Sequence, residues 1–354
     1  MNARLRPFTA ALTAVALGGS LAACSGSSAQ SGGDAKEITV YSADGLKAED
    51  GKGFYDQAFK DFTAATGIKV NYVEGGSGEM VQRLLREKSN TKADLVVTLP
   101  PFIQSAASQG LLENYRPAGS DKVADGDKDP AGAWTSVVKN YLCFIYNSKE
   151  VDAPPKTWDD LLDGKYRNKL QYSTPGVAGD GTAVLIKAMH DFGGIQGATD
   201  FLGRLQKNNV GPSSSTGQLA PKVDKGELLV ANGDVQMNFA NRSAMPNQAI
   251  WFPAAKDGRP STFSLPYAAG VVKNGPHQAN ARKLLDHLLT QEVQQQATTL
   301  AGGFPARTDV TPAGENAAGL GRLLDGVELF TPDWSDIDAN LKSYVGAWKQ
   351  ATGS

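Results

Sequence analysis

The stretch "LQYSTPGVAGDGTA" (residues 170–183) places a short apolar run, a Gly-rich loop and the start of a helical pattern side by side. Four of the six residues from 175 to 180 are Pro, Gly or Ala, so main-chain N–H groups stand exposed with few side chains over them. At the positive end of a helix dipole such groups favour an anion. Two nucleotide motifs can be tested on the letters. Gly176 and Gly181 keep the G-x-x-x-x-G spacing of a phosphate loop, but Thr182 and Ala183 stand where Lys and then Ser or Thr are required. Gly179, Asp180 and Gly181 begin a dinucleotide fingerprint that Thr182, Ala183 and Val184 do not finish. Two readings remain open: an anion-holding loop between strand and helix, or an ordinary turn.

Outward from this loop, strand-like and helix-like patterns alternate, which predicts an α/β architecture. "EITVYS" (37–42), "IKVNYVE" (68–74) and "ADLVVTL" (93–99) read as strands, the last apolar enough to be buried on both faces. Between them, "GFYDQAFKDFTAATG" puts Phe54, Ala58, Phe59 and Phe62 on one helical face and ends at Gly67, a C-terminal cap, and "GEMVQRLLREK" forms the next helix. "VKNYLCFIYNSK" (138–149) reads as a strand crossing to a second unit that begins near Asn140. That unit takes in the opening loop, the helices "TAVLIKAMHDFG" and "ATDFLGRLQKNN", and a strand "DVQMNFAN" (234–241). "STFSLPYAAGVVKNG" (261–275) is the return crossing, followed by one long amphipathic helix, "NARKLLDHLLTQEVQQQATTL" (280–300), and a helical tail. The expected fold is two lobes, each a mainly parallel sheet flanked by helices, with a ligand cleft at the hinge. Residues 37–139 and 267–304 make the first lobe, 140–266 the second, and 305–354 a helical region packed on both.

The chain of 354 residues opens "MNARLRPFTAALTAVALGGSLAACSGSSAQSGG". Arg4 and Arg6 precede a short apolar run that ends in small residues, which reads as an export signal over 1–23. "LAAC" resembles the bacterial lipobox, and by that resemblance Cys24 carries lipid and anchors the protein to the outer face of the cell membrane; a plainly cleaved signal is the alternative. Residues 24–36 are a polar, Gly/Ser-rich tether. Cys143 is the only other cysteine, so the exported protein has no disulfide and rests on its core. A formal net charge of -2 argues against a nucleic-acid partner, and no repeats or heptads point to an obligate assembly, so a monomer is expected.

Ligands of open α/β sheets bind outside the carboxyl ends of the strands. At those ends stand Ser42, the segment "EGGSGE" with Ser77 and Gly78, Thr98, Thr174, and Asp180, Gly181 and Thr182. These are short hydroxyls and glycines, able to approach an oxyanion closely. Gly78 and Gly181 each open a helix, so two helix N-termini can face one cleft.

The order of these pieces resembles the extracellular solute-binding proteins of ABC importers, with the type II periplasmic-binding fold. It resembles most the 2-aminoethylphosphonate binders within that family. The matching stretches include "YSADGL", "FTAATGIKVNYVEGGSGEMVQRL", "ADLVVTLPPFIQSAA", "NYLCFIYNS", "LQYSTPGVAGDGTAV", "LQKNNVGPSSSTG", "KGELLVANGDVQMN" and "FPARTDVTP". The resemblance implies capture of 2-aminoethylphosphonate or a similar small phosphonate and its delivery to ABC permease subunits, without cofactor or metal. On that implication the hydroxyls and glycines meet the phosphonate, Tyr141, Asn241 and Tyr267 wall the cleft, and Asp44, Glu79 or Asp180 meets the ammonium, which has three donors and no acceptor. Each has a plainer alternative. Asp180 can cap its helix, Glu79 can complement a helix dipole, Asp44 can form the turn before Gly45, and Tyr141 can be core.

Other functions fit less of the chain. Within the binding class, phosphate, another phosphonate or ferric ion are the alternatives, and Tyr344 lacks the neighbouring tyrosine a ferric site uses. A phosphonate-processing hydrolase needs a nucleophile and base. "EGGSGE" has Glu79 where the G-x-S-x-G motif wants Gly, and His190, His277 and His287 are away from the strand ends.

Overall fold

The computed structural model describes residues 36–48, 50–255 and 258–354. The export signal, Cys24 and the tether up to residue 35 lie outside the described residues. The elements run β1 (Glu37–Ala43), α1 (Phe54–Thr66), β2 (Lys69–Gly75), α2 (Ser77–Arg86), β3 (Leu95–Thr98), α3 (Phe102–Ser108), β4 (Thr135–Lys139) and β5 (Leu142–Asn147). After these come β6 (Leu170–Gln171), α4 (Gly179–Asp191), α5 (Ile195–Leu205), α6 (Leu219–Asp224), β7 (Val230–Asp234), α7 (Val235–Ala240) and β8 (Gln248–Trp251). The chain ends through β9 (Ser261–Phe263), β10 (Tyr267–Val271), α8 (Gln278–Leu288), α9 (Gln291–Gln295), β11 (Phe304–Pro305), α10 (Gly314–Leu324), β12 (Glu328–Phe330) and α11 (Trp334–Thr352).

Two sheets result. The first has the order β11-β4-β10-β3-β1-β2, and the second β6-β7-β5-β8. In the first, β1 pairs in parallel with β2 and β3, while β10 lies antiparallel between β3 and β4. In the second, β6 and β7 are parallel and β5 is antiparallel to both β7 and β8. Strands of each sheet thus point mostly one way, and the antiparallel pairings come from strands beside the crossings. We call each sheet with its helices a lobe.

The run 138–149 is not one strand. It leaves the first sheet at Lys139 and enters the second at Leu142, with Asn140 and Tyr141 between. The Asn140 side-chain carbonyl accepts the main-chain N–H of Tyr141 and that of Gln236, 2.8 Å each, which fixes the crossing.

Two expectations about local structure are corrected. Residues 234–241 do not form a strand: β7 ends at Asp234, whose carboxylate accepts the Met237 N–H at 2.6 Å and caps α7. An Asp that ends a strand can start a helix when its oxygen meets a free N–H two or three residues on. The helix expected over 280–300 breaks into α8, α9 and a π-turn at Ala297–Ala301. Thr290 caps α9 by accepting the Val293 N–H, and the Gln294 amide donates to the Val137 and Leu288 carbonyls while accepting from Ala306. Buried Gln294, satisfied three ways, thereby ties the broken helix to β4 and to the segment leaving β11.

The tail ties to both lobes. α11 packs along α5 and touches α3. Its buried Trp348 donates from Nε1 to the Tyr172 hydroxyl at 3.0 Å, and Leu341 packs on the cluster that holds Phe102 and Ile103. β12 extends β9 in parallel.

Helix α4 sits very close to the backbone just past β6. A Cβ on Gly181 would lie 2.1 Å from the Ser173 carbonyl oxygen, whereas one on Gly321, in α10, would meet nothing within 4 Å. Gly181→Ala should therefore cost about 1–3 kcal/mol by overpacking, and Gly321→Ala should be neutral or mildly stabilising. Chemical denaturation of the two variants checks this; equal stability would mean that α4 has room to shift.

Candidate functional site

The carboxyl ends of β1 and β7 carry Asp44 and Asp234 toward the same place, one from each lobe, and the first turn of α4 adds Asp180. Asp180 is 3 % exposed and Asp234 fully buried; Asp44 is half-buried. The three lie within electrostatic range of one another. Asp234, already the cap of α7, also stands 3.4 Å from the Tyr267 hydroxyl. Tyr267 donates to the Asp44 main-chain carbonyl at 2.9 Å, and Ser215 donates to the Asp44 carboxylate at 2.5 Å. Glu74, at the end of β2, accepts from the Gly45 N–H.

No Lys, Arg or His pairs with Asp44, Asp180 or Asp234 among the described residues. One Asp180 oxygen, Oδ1, has no partner at all. Asp180 does not cap α4; Ala178 holds that position, without a side-chain cap. Removal from water pushes all three carboxyls up, and the neighbouring carboxylates add to it for Asp180 and Asp234. Asp234 rises to about 6. Burial and the same acids raise the Tyr267 phenol, keeping it a neutral donor. Three carboxylates without a cation are an incomplete electrostatic unit, which is completed by protons or by a positive ligand group.

The two lobes touch around this cluster. The Gly78 N–H, at the start of α2, donates to the Val177 carbonyl in the loop before α4 at 2.9 Å. Gln236 Nε2 donates to the Gly45 carbonyl at 3.0 Å. A Cβ on Gly78 would stand 2.5 Å from the Gly176 carbonyl oxygen, so only glycine permits this approach.

The hydroxyls divide into two sets according to where each sends its one proton. Ser42 donates to the Ala43 carbonyl, Thr98 to the Ser77 carbonyl and Thr182 to the Ala178 carbonyl, with Thr182 also accepting from the Gly176 N–H. These three hold local backbone in shape, which moves them from the expected anion donors to the frame of the site. Ser77 accepts from the Leu99 N–H, and Thr174 from the Ser213 N–H, so each keeps a proton to give. Ser77 Oγ also lies 2.7 Å from where a Gly179 Cβ would be, beside the N-terminus of α4.

Other expected contacts lie elsewhere. Glu79 is exposed on α2, where it complements the helix dipole. Tyr141 packs edge-on against Phe304, with ring centroids 5.8 Å apart, in the apolar cluster of the second lobe. Asn241 is the C-terminal cap of α7 and gives its amide to the Met237 carbonyl. The Gly78 N–H is taken by Val177. The structure brings together Asp44, Asp180 and Tyr267, with Gly181 behind them. It adds Asp234, Glu74, Ser215 and Thr216, the last bonded to Ser173 at 2.8 Å. No three His, Cys, Asp or Glu side chains among the described residues converge closely enough to hold a metal ion.

The raised carboxyls predict a pH dependence. Unfolded Asp titrates near about 3.9, and folded Asp234 near 6, so between these values the folded chain holds more protons than the unfolded one. Stability then rises as pH falls through that window and is lowest above it. Thermal unfolding of ligand-free protein should occur at higher temperature at about pH 5 than at about pH 7.5, and Asp234→Asn, which still caps α7, should shrink the rise. An Asp234→Asn profile identical to wild type would contradict the assignment.

A model of the bacterial extracellular solute-binding protein family matches residues 45–295. A Salmonella paratyphi A protein whose name reads "Putative 2-aminoethylphosphonate-binding periplasmic protein" is 46% identical over 317 residues, covering 90% of this chain and 93% of its own. Among solved structures, the periplasmic binding protein AfuA from Actinobacillus pleuropneumoniae, with fructose-6-phosphate bound, superposes with a TM-score of 0.76 at 20% identity, covering 90% of this chain and 98% of its own. The ferric binding protein from Campylobacter jejuni gives 0.71 at 22%, covering 89% and 99%. At such identities these two show the fold alone. With the family model over residues 45–295 and this sequence identity together, the chain belongs to the bacterial extracellular solute-binding protein family.

Proposed function

We propose that the protein captures 2-aminoethylphosphonate, or a zwitterion of the same kind, between its lobes and delivers it unchanged to an ABC permease. The observation that carries this reading is the unpaired cluster of Asp44, Asp180 and Asp234 beside the N-terminus of α4. An ammonium supplies the missing cation, with three donors for acceptor-only groups. The phosphonate then meets the free N–H groups of the first turn of α4 and the hydroxyl protons of Ser77 and Thr174. The name of the Salmonella relative agrees with this chemistry. We place the protein outside the cell, held by lipid on Cys24 and acting as a monomer.

Calorimetric titration with 2-aminoethylphosphonate, ethylphosphonate, phosphate and ferric ion tests the reading. The zwitterion should bind tightest and be recovered intact; release of inorganic phosphate would reveal a hydrolase. Tighter binding of phosphate or ferric ion would replace the ligand assignment. A diacylglyceryl group on Cys24, found by mass spectrometry of the membrane fraction, is the expected anchor, and an unmodified soluble N-terminus would refute it.

The two ends of the ligand separate in variants. Ser77→Ala and Thr174→Val each remove a donor from a charged acceptor, a loss of about 1.5–3 kcal/mol, or roughly ten- to a hundredfold in affinity. Both phosphonates should suffer alike. Asp180→Asn should weaken the amino ligand without weakening ethylphosphonate; an equal loss for both would remove Asp180 from the ammonium site.

A further inference from the structure

Asp44 belongs to the first lobe, Asp180 and Asp234 to the second, so the three carboxyls meet only when the lobes do. Closure strips water from them and brings like charges together, with Tyr267, Ser215, Thr216 and Asn140 as neutral neighbours and Glu74 adding further negative charge. Gly78 to Val177 and Gln236 to Gly45 join the lobes through neutral main-chain and amide hydrogen bonds, and the Ser215 hydroxyl of the second lobe donates to the Asp44 carboxylate of the first. The neutral bonds are individually weak in net terms, because folding exchanges them for bonds to water. They are of the size that uncompensated charge can overcome. Neutral donors alone would accept phosphate, alkylphosphonates and the zwitterion alike; discrimination comes from attraction for the ammonium, from repulsion of the plain anion, or from both.

We propose that Asp44, Asp180 and Asp234 make lobe closure conditional on a cationic group, so that a zwitterionic phosphonate closes the cleft and a plain anion does not. This deepens the zwitterion reading of the site and rests on it. A simple phosphonate adds negative charge to the cluster and leaves the lobes apart, while the ammonium converts the same three groups from a wedge into a clasp. Ligand-free protein is correspondingly held toward the open state, and the population that closes is set by the ligand's charge. Asp44 is the specificity-determining residue, because it is the first-lobe acid that acts on both Asp180 and Asp234.

The amide of Gly78 reports closure, since its hydrogen bond to Val177 spans the lobes. Hydrogen exchange of the full-length protein, read on the peptide that contains Gly78, should slow with 2-aminoethylphosphonate and not with ethylphosphonate. Asp44→Asn keeps an acceptor for Ser215 and removes the charge. It should lower affinity for the amino ligand about tenfold or more and raise affinity for ethylphosphonate about tenfold, as expected when a like charge is removed from a desolvated site. It should also slow Gly78 exchange in the absence of ligand. A purely structural role for Asp44 would weaken both ligands, and that outcome overturns the proposal. So does ethylphosphonate protecting Gly78 in wild type as fully as the zwitterion. If wild type binds no 2-aminoethylphosphonate, the ligand reading fails, and the ligand-free arm still decides the gate: slower Gly78 exchange in Asp44→Asn sustains it for another cation, and unchanged exchange removes it. Asp180→Asn repeats the comparison from the second lobe should Asp44→Asn fold poorly.

Discussion

Unbalanced negative charge at the meeting of two sheets is the constraint on which the rest of this structure turns. A buried carboxylate without a cation is costly, and three together are costlier. The surrounding architecture can be understood as what holds them in place regardless. Asp234 is fixed because it caps α7, Asp44 because Tyr267 grips its main chain and Ser215 its side chain, and Asp180 because α4 is pressed through Gly181 onto Ser173, just past β6. None of the three can swing into solvent without undoing a cap, a crossing or a helix contact.

That rigidity carries into function. A site built from mobile side chains would rearrange around any ligand of suitable size, whereas acids held by backbone geometry select for charge. The crossings matter here as much as the acids. Asn140, on the outbound crossing, joins the first sheet to α7 through Gln236, and β10, on the return crossing, delivers Tyr267 to Asp44. The two crossings between the lobes therefore also supply residues beside the acid cluster, and helix α11 contacts α5 of one lobe and α3 of the other.

Much of this was legible in the sequence, and the gaps have physical causes. Alternation of strand and helix patterns located β1, β2 and β3 with α1 and α2 between them, because strands rich in Val and Ile and amphipathic helices such as α1 leave periodic marks. Asp44 and Asp180 stood out beside their glycines. Asp234 did not, since "DVQMNFAN" has the composition of a strand, and only tertiary position shows that its first residue ends one element and caps the next. Ser42, Thr98 and Thr182 looked like ligand donors because residue type shows that a hydroxyl has a proton and not where the proton goes. Glu79 directly follows Gly78 of "EGGSGE" but is exposed on α2, a matter of helical phase. Ser215 and Thr216, in "GPSSSTG", carried no periodic signal, and their part depends on a loop that folds back beneath α4.

The claim that the three aspartates form a cation site is tested most directly by the structure of the protein with 2-aminoethylphosphonate bound. The account predicts the ligand nitrogen at hydrogen-bond distance, about 2.7–2.9 Å, from Asp44 of one lobe and from Asp180 or Asp234 of the other, with the phosphonate against Ser77, Thr174 and the first turn of α4. A nitrogen that points to solvent, or a phosphonate seated among the acids, would contradict it.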